Sequence, residues 1–338
     1  MITDALHKLF ARADLTRDEC AAALADIVDG RATPAQIGAF LGALRVKGET
    51  ADEIAGAAAL LRERAEPVRV RAPVFVDTCG TGGDGLHTFN ISTAAAFVVA
   101  AAGVVVAKHG NRAASSACGS ADVLAALGAK VDLPKEAVEA CLERAGIGFL
   151  FAPRLHPAFK AVAGARRELG ARTLFNLLGP LVNPARPRHQ VVGVYAPEWV
   201  PVLGRALCEL GAERAFVVHG GGADEVSVTG ETRVCEAGGG ATREYTLGPE
   251  DLGLGRWAQG ELKGGDAATN ARILREVLGG QKGAPRDAVL ASAALALVAA
   301  GAADSPREGA RRGAEALDGG GALERLEAFV RVTNEVGA

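Results

Sequence analysis

Twice in the first half of the chain, a β-branched apolar run leads into a glycine- and hydroxyl-rich loop and then an alanine-rich stretch. The first passage is Val74-Phe75-Val76, followed by Asp77-Thr78-Cys79-Gly80-Thr81-Gly82-Gly83-Asp84-Gly85-Leu86-His87-Thr88-Phe89-Asn90-Ile91-Ser92-Thr93. The second is Val104-Val105-Val106, then Lys108-His109-Gly110-Asn111-Arg112-Ala113-Ala114-Ser115-Ser116, reaching Gly119-Ser120-Ala121-Asp122. Strand, loop and helix in repeated order build a mostly parallel sheet covered by helices. A glycine loop at that junction lets backbone N–H groups approach an anion beside the positive end of a helix. Two such loops point to one ligand carrying two phosphate groups.

The bulk of the chain is consistent with that frame. Its 338 residues suffice for one large domain or two, and 49% are hydrophobic. Only 4% are aromatic, so the core must rely on Ala, Val and Leu. A net charge of −3 gives no electrostatic reason to bind nucleic acid. No window approaches the roughly 20 uninterrupted apolar residues of a membrane span. The start, Met1-Ile2-Thr3-Asp4, lacks secretory-signal character, and six scattered cysteines without a C-x-x-C pair read as reduced thiols. The expectation is a cytoplasmic protein. Cys79 and Cys118, inside the loops, read as small residues where bulk will not fit.

Residues 1–65 read as helical, with Thr16 and Glu19 a capping box, Thr33-Pro34 a helix start and Thr50 a further cap. Strands are expected at 74–77, 104–107, 190–195 and 214–219, with helices at 92–102, 120–128 and 135–145. An Arg-rich helical segment, 153–185, interrupts the alternation and is expected to pack partly on the N-terminal helices. Residues 236–255 read as strand edges and turns, with helices at 266–280, 285–301 and 306–317. Asp318 to Gly321 reads as a flexible turn before a last helix.

Four segments carry chemistry. In the first loop, Gly80, Gly82 and Gly83 remove Cβ atoms that would keep backbone from phosphate, and Asn90, Ser92 and Thr93 place short donors at a helix start. Ser92 reads equally as an ordinary N-cap. No Gly-Lys-Ser/Thr follows the glycines and no G-x-G-x-x-G opens a helix, so neither common nucleotide motif applies. In the second loop, Lys108 directly after an apolar strand is either a surface residue or a cation awaiting an anion, and the hydroxyl cluster favours the anion. Asn111, Ser115, Ser116 and Ser120 add polar groups, and Arg112 either touches ligand or braces the loop. Asp224-Glu225, after Gly220-Gly221-Gly222, suit Mg²⁺, which takes a few oxygens plus water and phosphate. Arg166 and Arg167 cannot share a helix face, so one can face a cleft, where a guanidinium suits a carboxylate, or both are solvated.

Together these segments closely resemble the anthranilate phosphoribosyltransferase family. The matching stretches are D-T-C-G-T-G-G-D-G…N-I-S-T, K-H-G-N-R…S-S…G-S-A-D, R-x-x-L-G-x-R-T…F-N-x-L-G-P-L-x-N-P and G-G-x-D-E-V-S, in family order. The helical start and G-G-D-A-x-x-N, Gly264 to Asn270, extend the likeness nearly end to end. The fold implied is α/β, nucleoside phosphorylase/phosphoribosyltransferase-like. It has a small all-helical domain, residues 1–69 joined by part of 163–185. A large α/β domain, 70–162 and 186–338, carries a mostly parallel central sheet, with the active site in the cleft between the two domains.

The resemblance implies transfer of the phosphoribosyl group of 5-phosphoribosyl 1-diphosphate to anthranilate, giving N-(5-phosphoribosyl)anthranilate and diphosphate. It also implies a homodimer formed through the helical domain. Carried over, Gly80, Gly83, Asp84, Thr88, Asn90, Ile91, Ser92, Thr93, Lys108, His109, Gly110, Asn111, Arg112, Ala113, Ala114, Ser115, Ser116 and Ser120 hold the diphosphate substrate. Ser92, Asp224 and Glu225 bind Mg²⁺, with Asp84 assisting. Gly80, Asn111 and Arg166 face anthranilate, near Gly179 and Pro180. Lys108 is the expected catalytic residue, stabilising the departing diphosphate; His109 either moves a proton or braces the loop. The sequence departs from the family pattern at Gly164, where proline is common, and at Ala117 and Ser292. A looser segment around Arg166 is expected from Gly164.

Two other readings compete. Pyrimidine nucleoside phosphorylases share the architecture, but they need one phosphate and a pyrimidine site, and would leave Asp224-Glu225 and Arg166 unexplained. A non-catalytic nucleic-acid-binding relative calls for a basic surface and eroded loops, against the charge and intact motifs seen here.

Overall fold

The computed structural model describes residues 1–113 and 117–337; Ala114, Ser115 and Ser116, assigned above to the diphosphate substrate, lie outside the described residues. The chain has a small helical N-terminal domain and a larger α/β domain built on a seven-stranded sheet.

Four helices come first: α1 (Ile2–Phe10), α2 (Arg17–Val28), α3 (Pro34–Lys47) and α4 (Ala51–Arg64). The Thr16, Thr33 and Thr50 hydroxyls each accept an N–H from the third helical residue, whose own side chain returns the bond. Each such box satisfies two orphan N–H groups, and its cap is worth about 1 kcal/mol. The sheet alternation follows with β1 (Phe75–Gly80), α5 (Ile91–Ala101), β2 (Val105–Gly110), α6 (Ser120–Ala126), α7 (Lys135–Ala145) and β3 (Ile147–Phe151). The interrupting segment holds α8 (Ala152–Leu155), α9 (Lys160–Leu169) and α10 (Phe175–Leu178). Then come β4 (His189–Gly193), α11 (Trp199–Glu209), β5 (Arg214–Gly220), β6 (Thr232–Gly238) and β7 (Ala241–Leu247). Four helices close the chain: α12 (Ala267–Leu278), α13 (Ala284–Ala299), α14 (Pro306–Asp318) and α15 (Gly321–Val336).

The strand order is β3-β2-β1-β4-β5-β6-β7, parallel from β3 through β5, with β6 and β7 antiparallel. The sheet separates two cores. On one face α5 and α13, buried on nearly every side, pack with Phe97, Leu290 and Phe329; their alanines let helices lie close. On the other, Val192, Val217 and Leu203 of α11 join Ile54, Leu61 and Phe40, so one apolar cluster runs from the sheet into the helical bundle. Val162 of α9 and Phe175 of α10 belong to that cluster, and α9 contacts α2 and α3.

Three local expectations are corrected. Ile147–Phe151 is a strand absent from the sequence reading, because a five-residue apolar run with no alternation reads equally as buried helix. Residues 232–247 form two full strands in a hairpin, which the glycines and charges of an edge had obscured. The turn read from Asp318 to Gly321 shrinks to Gly319 and Gly320, because α14 runs to Asp318 and α15 starts at Gly321; Gly320 has φ +79°, and Asp318 accepts from both Arg286 and Lys282.

Candidate active site

From β1 the chain builds the sheet to one side through β2 and β3, then crosses to β4 and β5 on the other. The carboxyl ends of β1 and β4, where the direction reverses, form the crevice in which open α/β sheets bind ligands. Both strands end there in glycine, and Gly80 pairs with Gly193. A Cβ on Gly80 would lie 2.2 Å from Asp224 Oδ2, and one on Gly193 would lie 1.6 Å from the Asp224 carbonyl oxygen. Asp224 therefore lies across both strand ends. A two-glycine turn brings it there: Gly221 and Gly222 have φ +61° and +86°, and Gly220 and Ala223 exchange backbone bonds. The room left by Gly80 is thus taken by the Asp224 carboxyl.

The acids and the lysine converge on this point. Asp224 Oδ2 accepts from the Gly82 N–H at 2.6 Å, and Asp84 Oδ2 accepts from the Asp224 N–H at 3.4 Å. Glu225 Oε1 accepts from the Ser92 N–H at 3.3 Å. Lys108 is 3% exposed and donates to the Thr78 carbonyl and, at 3.4 Å, to Ser92 Oγ. That burial excludes the surface reading of Lys108. Ser92 lies in the first turn of α5, after the cap position Asn90, so it is not the N-cap.

Both Asp224 and Glu225 keep some exposure to the cleft, but protein crowds them closely. Desolvation first, then the neighbouring acids, raises Glu225 to about 8 and moves Asp224 upward with it; Lys108 opposes the rise at Glu225. Such a set of hard oxygens lacks positive charge and suits Mg²⁺, which needs only a few carboxylates beside water and phosphate. Among the described residues, no three His, Cys, Asp or Glu side chains stand close enough together to hold a metal ion by themselves. An ion here would complete its shell from ligand and solvent.

The remaining first-loop residues are tied down by residues 262–270, a stretch whose G-G-D-A-x-x-N motif carried the resemblance but was given no role. Thr88 bridges Lys263, and Phe89 N–H donates to the Leu262 carbonyl. Asn90 donates to the Cys118 carbonyl and accepts from buried Asn270, joining the first loop, the second loop and α12. Ile91 and Thr93 are buried.

In the second loop, a Cβ on Gly110 would clash with Ser120 Oγ and Phe149, and Asn111 is exposed. Ser120 Oγ and the Ala121 N–H both donate to the Asn111 carbonyl. Arg112 pairs with Asp122 at 3.0 Å, which supports its bracing role, and the Ala113 and Gly119 N–H groups donate to the same carboxylate. Asp122 closes the G-S-A-D stretch quoted for the second loop but was given no role there; nothing in its local pattern marked it as the hub of the loop.

His109 is buried, bonded through Nδ1 to the Gly179 carbonyl, and burial pushes it down to about 3. Burial favours the neutral imidazole, and its bond to Gly179 supports the bracing alternative. Beneath it Asp77, also fully buried, accepts from the His109 N–H and from Asn183 Nδ2. Neither Asp77, Asn183 nor Gly193 was assigned a role from sequence, since their function depends on contacts distant along the chain.

Arg166 stands apart from the acids. Its partly buried guanidinium lies 5.6 Å from the Phe175 ring centroid, and among the described residues it has no ion pair, whereas Arg167 is exposed. A chain of edge-on rings, Phe175, Phe159, His156 and His109, leads from it back to β2. Gly179 and Pro180 are held at that end by His109 and Gln190. Gly164 sits inside the unbroken helix α9.

Comparison with known proteins bears on this geometry. Residues 3–65 match the model of the glycosyl transferase family helical bundle domain, and 72–323 match that of the glycosyl transferase family a/b domain. A curated anthranilate phosphoribosyltransferase from Anaeromyxobacter sp. (strain Fw109-5) is 65% identical over 98% of this chain and 99% of its own. The crystal structure of anthranilate phosphoribosyltransferase from Thermus thermophilus superposes with a TM-score of 0.93 at 45% identity, covering 98% of this chain and 99% of that one. The Saccharomyces cerevisiae enzyme in complex with PRPP and Mg gives 0.89 at 29% identity, with 99% and 98% covered. The same yeast enzyme has been solved in complex with 4-fluoroanthranilate.

Proposed function

The chain belongs to the anthranilate phosphoribosyltransferase family, and from that premise we propose that it transfers the phosphoribosyl group of 5-phosphoribosyl 1-diphosphate to the amine of anthranilate. The observation that carries the reading is the convergence of Asp224, Glu225, Asp84 and Lys108 on the β1/β4 crevice. An ammonium and a set of metal-ready carboxylates at one point suit a substrate whose leaving group is a diphosphate.

In this reading Asp224, Glu225 and Ser92 hold Mg²⁺, with Asp84 beside them. When bound, the ion neutralises charge on the diphosphate oxygens. Lys108 supplies the fixed positive charge of the protein itself. It sits already dehydrated and oriented, so it costs little reorganisation as the C1′–oxygen bond breaks. The Gly83, Asp84 and Gly85 N–H groups of the first glycine loop, which find no acceptor among the described residues, add donors to the anion cradle. Arg166, unpaired over Phe175, receives the anthranilate carboxylate, with Gly80 and Asn111 lining the acceptor site. Anthranilate's aromatic amine is neutral near pH 7, so no strong base is required, which agrees with the bracing role of His109. Catalysis is orientation plus charge stabilisation.

The domain division follows the same reading: 1–69 with part of 163–185 form the helical domain, and 70–162 with 186–338 the α/β domain. We assign the protein to the cytoplasm, as a homodimer formed through the helical domain. Support for the dimer comes from exposed Phe10 and Val46, 64% and 73% accessible, beside Gly38 and Gly42 of α3, whose missing side chains would meet nothing. Among the described residues no helix is long and apolar enough to cross a membrane.

Mass spectrometry of a reaction containing both substrates and Mg²⁺ tests the proposal. It requires formation of N-(5-phosphoribosyl)anthranilate with stoichiometric diphosphate. Diphosphate release without that adduct would move the acceptor to another molecule.

A further inference from the structure

Arg172 makes contacts that none of the roles above uses. It follows α9, which carries Arg166, just beyond the left-handed cap Gly170. Its guanidinium carbon lies 4.0 Å from the centroid of the Tyr195 ring, and the same group donates to the Gly83 carbonyl in the first glycine loop. Tyr195 is anchored in turn: its N–H donates to Thr81 Oγ1 at 3.0 Å, and the Thr81 N–H donates to the Gly193 carbonyl at 2.9 Å. The planar cation is thus held on an aromatic face and aimed at one peptide group.

That peptide joins Gly83 to Asp84. In a trans peptide the C=O and the N–H point in opposite directions. Fixing the Gly83 carbonyl on Arg172 therefore turns the Asp84 N–H away from Arg172, and among the described residues that N–H finds no acceptor. The Gly82 N–H and the Asp84 carboxylate are tied to Asp224, but the peptide between Gly83 and Asp84 gains little steric restraint from its neighbours, because Gly82, Gly83 and Gly85 all adopt φ between +67° and +81°. A flipped peptide would present a carbonyl oxygen to the anion instead of a donor.

We infer that Arg172, seated on Tyr195, is a positioning residue that sets the Gly83–Asp84 peptide for the diphosphate substrate and links this loop to the element bearing Arg166. This rests on the proposed function for the identity of the anion. The loop restraint itself does not.

The test uses the full-length protein with Arg172→Ala, Arg172→Lys and Tyr195→Ala, and Arg167→Ala as a control for loss of one exposed charge. Steady-state kinetics and amide hydrogen exchange of residues 81–86 are read together. Arg172→Ala should raise KM for 5-phosphoribosyl 1-diphosphate by about tenfold, the size of one lost charge-assisted hydrogen bond, with kcat changed less. Exchange across the loop should quicken in the substrate-free protein. Lysine keeps a donor but loses the planar stack, so it should fall between; Tyr195→Ala should mimic Arg172→Ala, and a double variant combining Arg172→Ala with Tyr195→Ala should add little. An unchanged KM, or a raised KM with unchanged exchange, would overturn the inference. Were the wild-type protein to consume no anthranilate, the proposed function would fail, while faster exchange in Arg172→Ala would still uphold the clamp and unchanged exchange would end it.

Discussion

Lys108 is an ammonium placed where water scarcely reaches, near the end of a parallel strand, bonded to Thr78 and Ser92, with its charge felt at the Glu225 carboxyl. Replacing it by alanine removes the one cation that, among the described residues, counters Glu225. We expect Lys108→Ala to lower kcat by about 10²-fold or more, as removing a preorganised donor commonly does, with the far-ultraviolet circular dichroism unchanged. Near-normal turnover would exclude it from catalysis. Glu225 gives a second expectation. In the metal-free protein it holds a proton up to about pH 8, whereas in the unfolded chain it loses that proton near the ordinary 4.5. Its contribution to stability is thus full below the unfolded value and lost as pH rises through the folded value. In chelator, the melting temperature should fall between pH 6 and 8.5, and Mg²⁺ should restore more at the higher pH. Glu225→Gln should flatten both responses; a wild type whose Mg²⁺ stabilisation is independent of pH contradicts the assignment.

At the scale of elements, the glycines separate into those a neighbour requires and those it does not. Gly193→Ala would drive a Cβ into the Asp224 backbone, so activity should collapse with Asp224 displaced. Gly164 lies in the helix α9 with nothing within 4 Å of a built Cβ, so Gly164→Ala should stabilise. The gain should be about 0.5–1 kcal/mol, read as a higher melting temperature. The reverse ranking would mean that these contacts are misjudged. This contrast also marks what the sequence carried. The Thr16–Glu19 capping box, the helix start at Thr33-Pro34, the cap at Thr50, the two loops and the Asp224-Glu225 pair were legible because each is a local pattern of neighbouring residues. Gly193, Asp77 and Asp122 were not, because their roles arise from pairing between strands or from loop closure across the fold. The strand Ile147–Phe151 was missed for a third reason: burial on both faces erases the alternation that reveals a strand.

For the whole molecule, the continuous apolar cluster from the sheet through α11 to α2 and α4 places the helical domain against the α/β domain, while α9 brings Arg166 from the helical side. The exposed Phe10 and Val46 remain outside that cluster. Light scattering of Phe10→Asp/Val46→Asp should report a monomer where the parent is a dimer; an unchanged dimer mass would move the interface elsewhere. The account as a whole rests on metal-assisted transfer to anthranilate. Its most direct test is the loss of anthranilate fluorescence on adding 5-phosphoribosyl 1-diphosphate, measured with Mg²⁺ and again in excess chelator. Consumption that requires Mg²⁺ is the predicted result. Fluorescence that persists with both substrates and the ion present, or that falls equally in chelator, would contradict it.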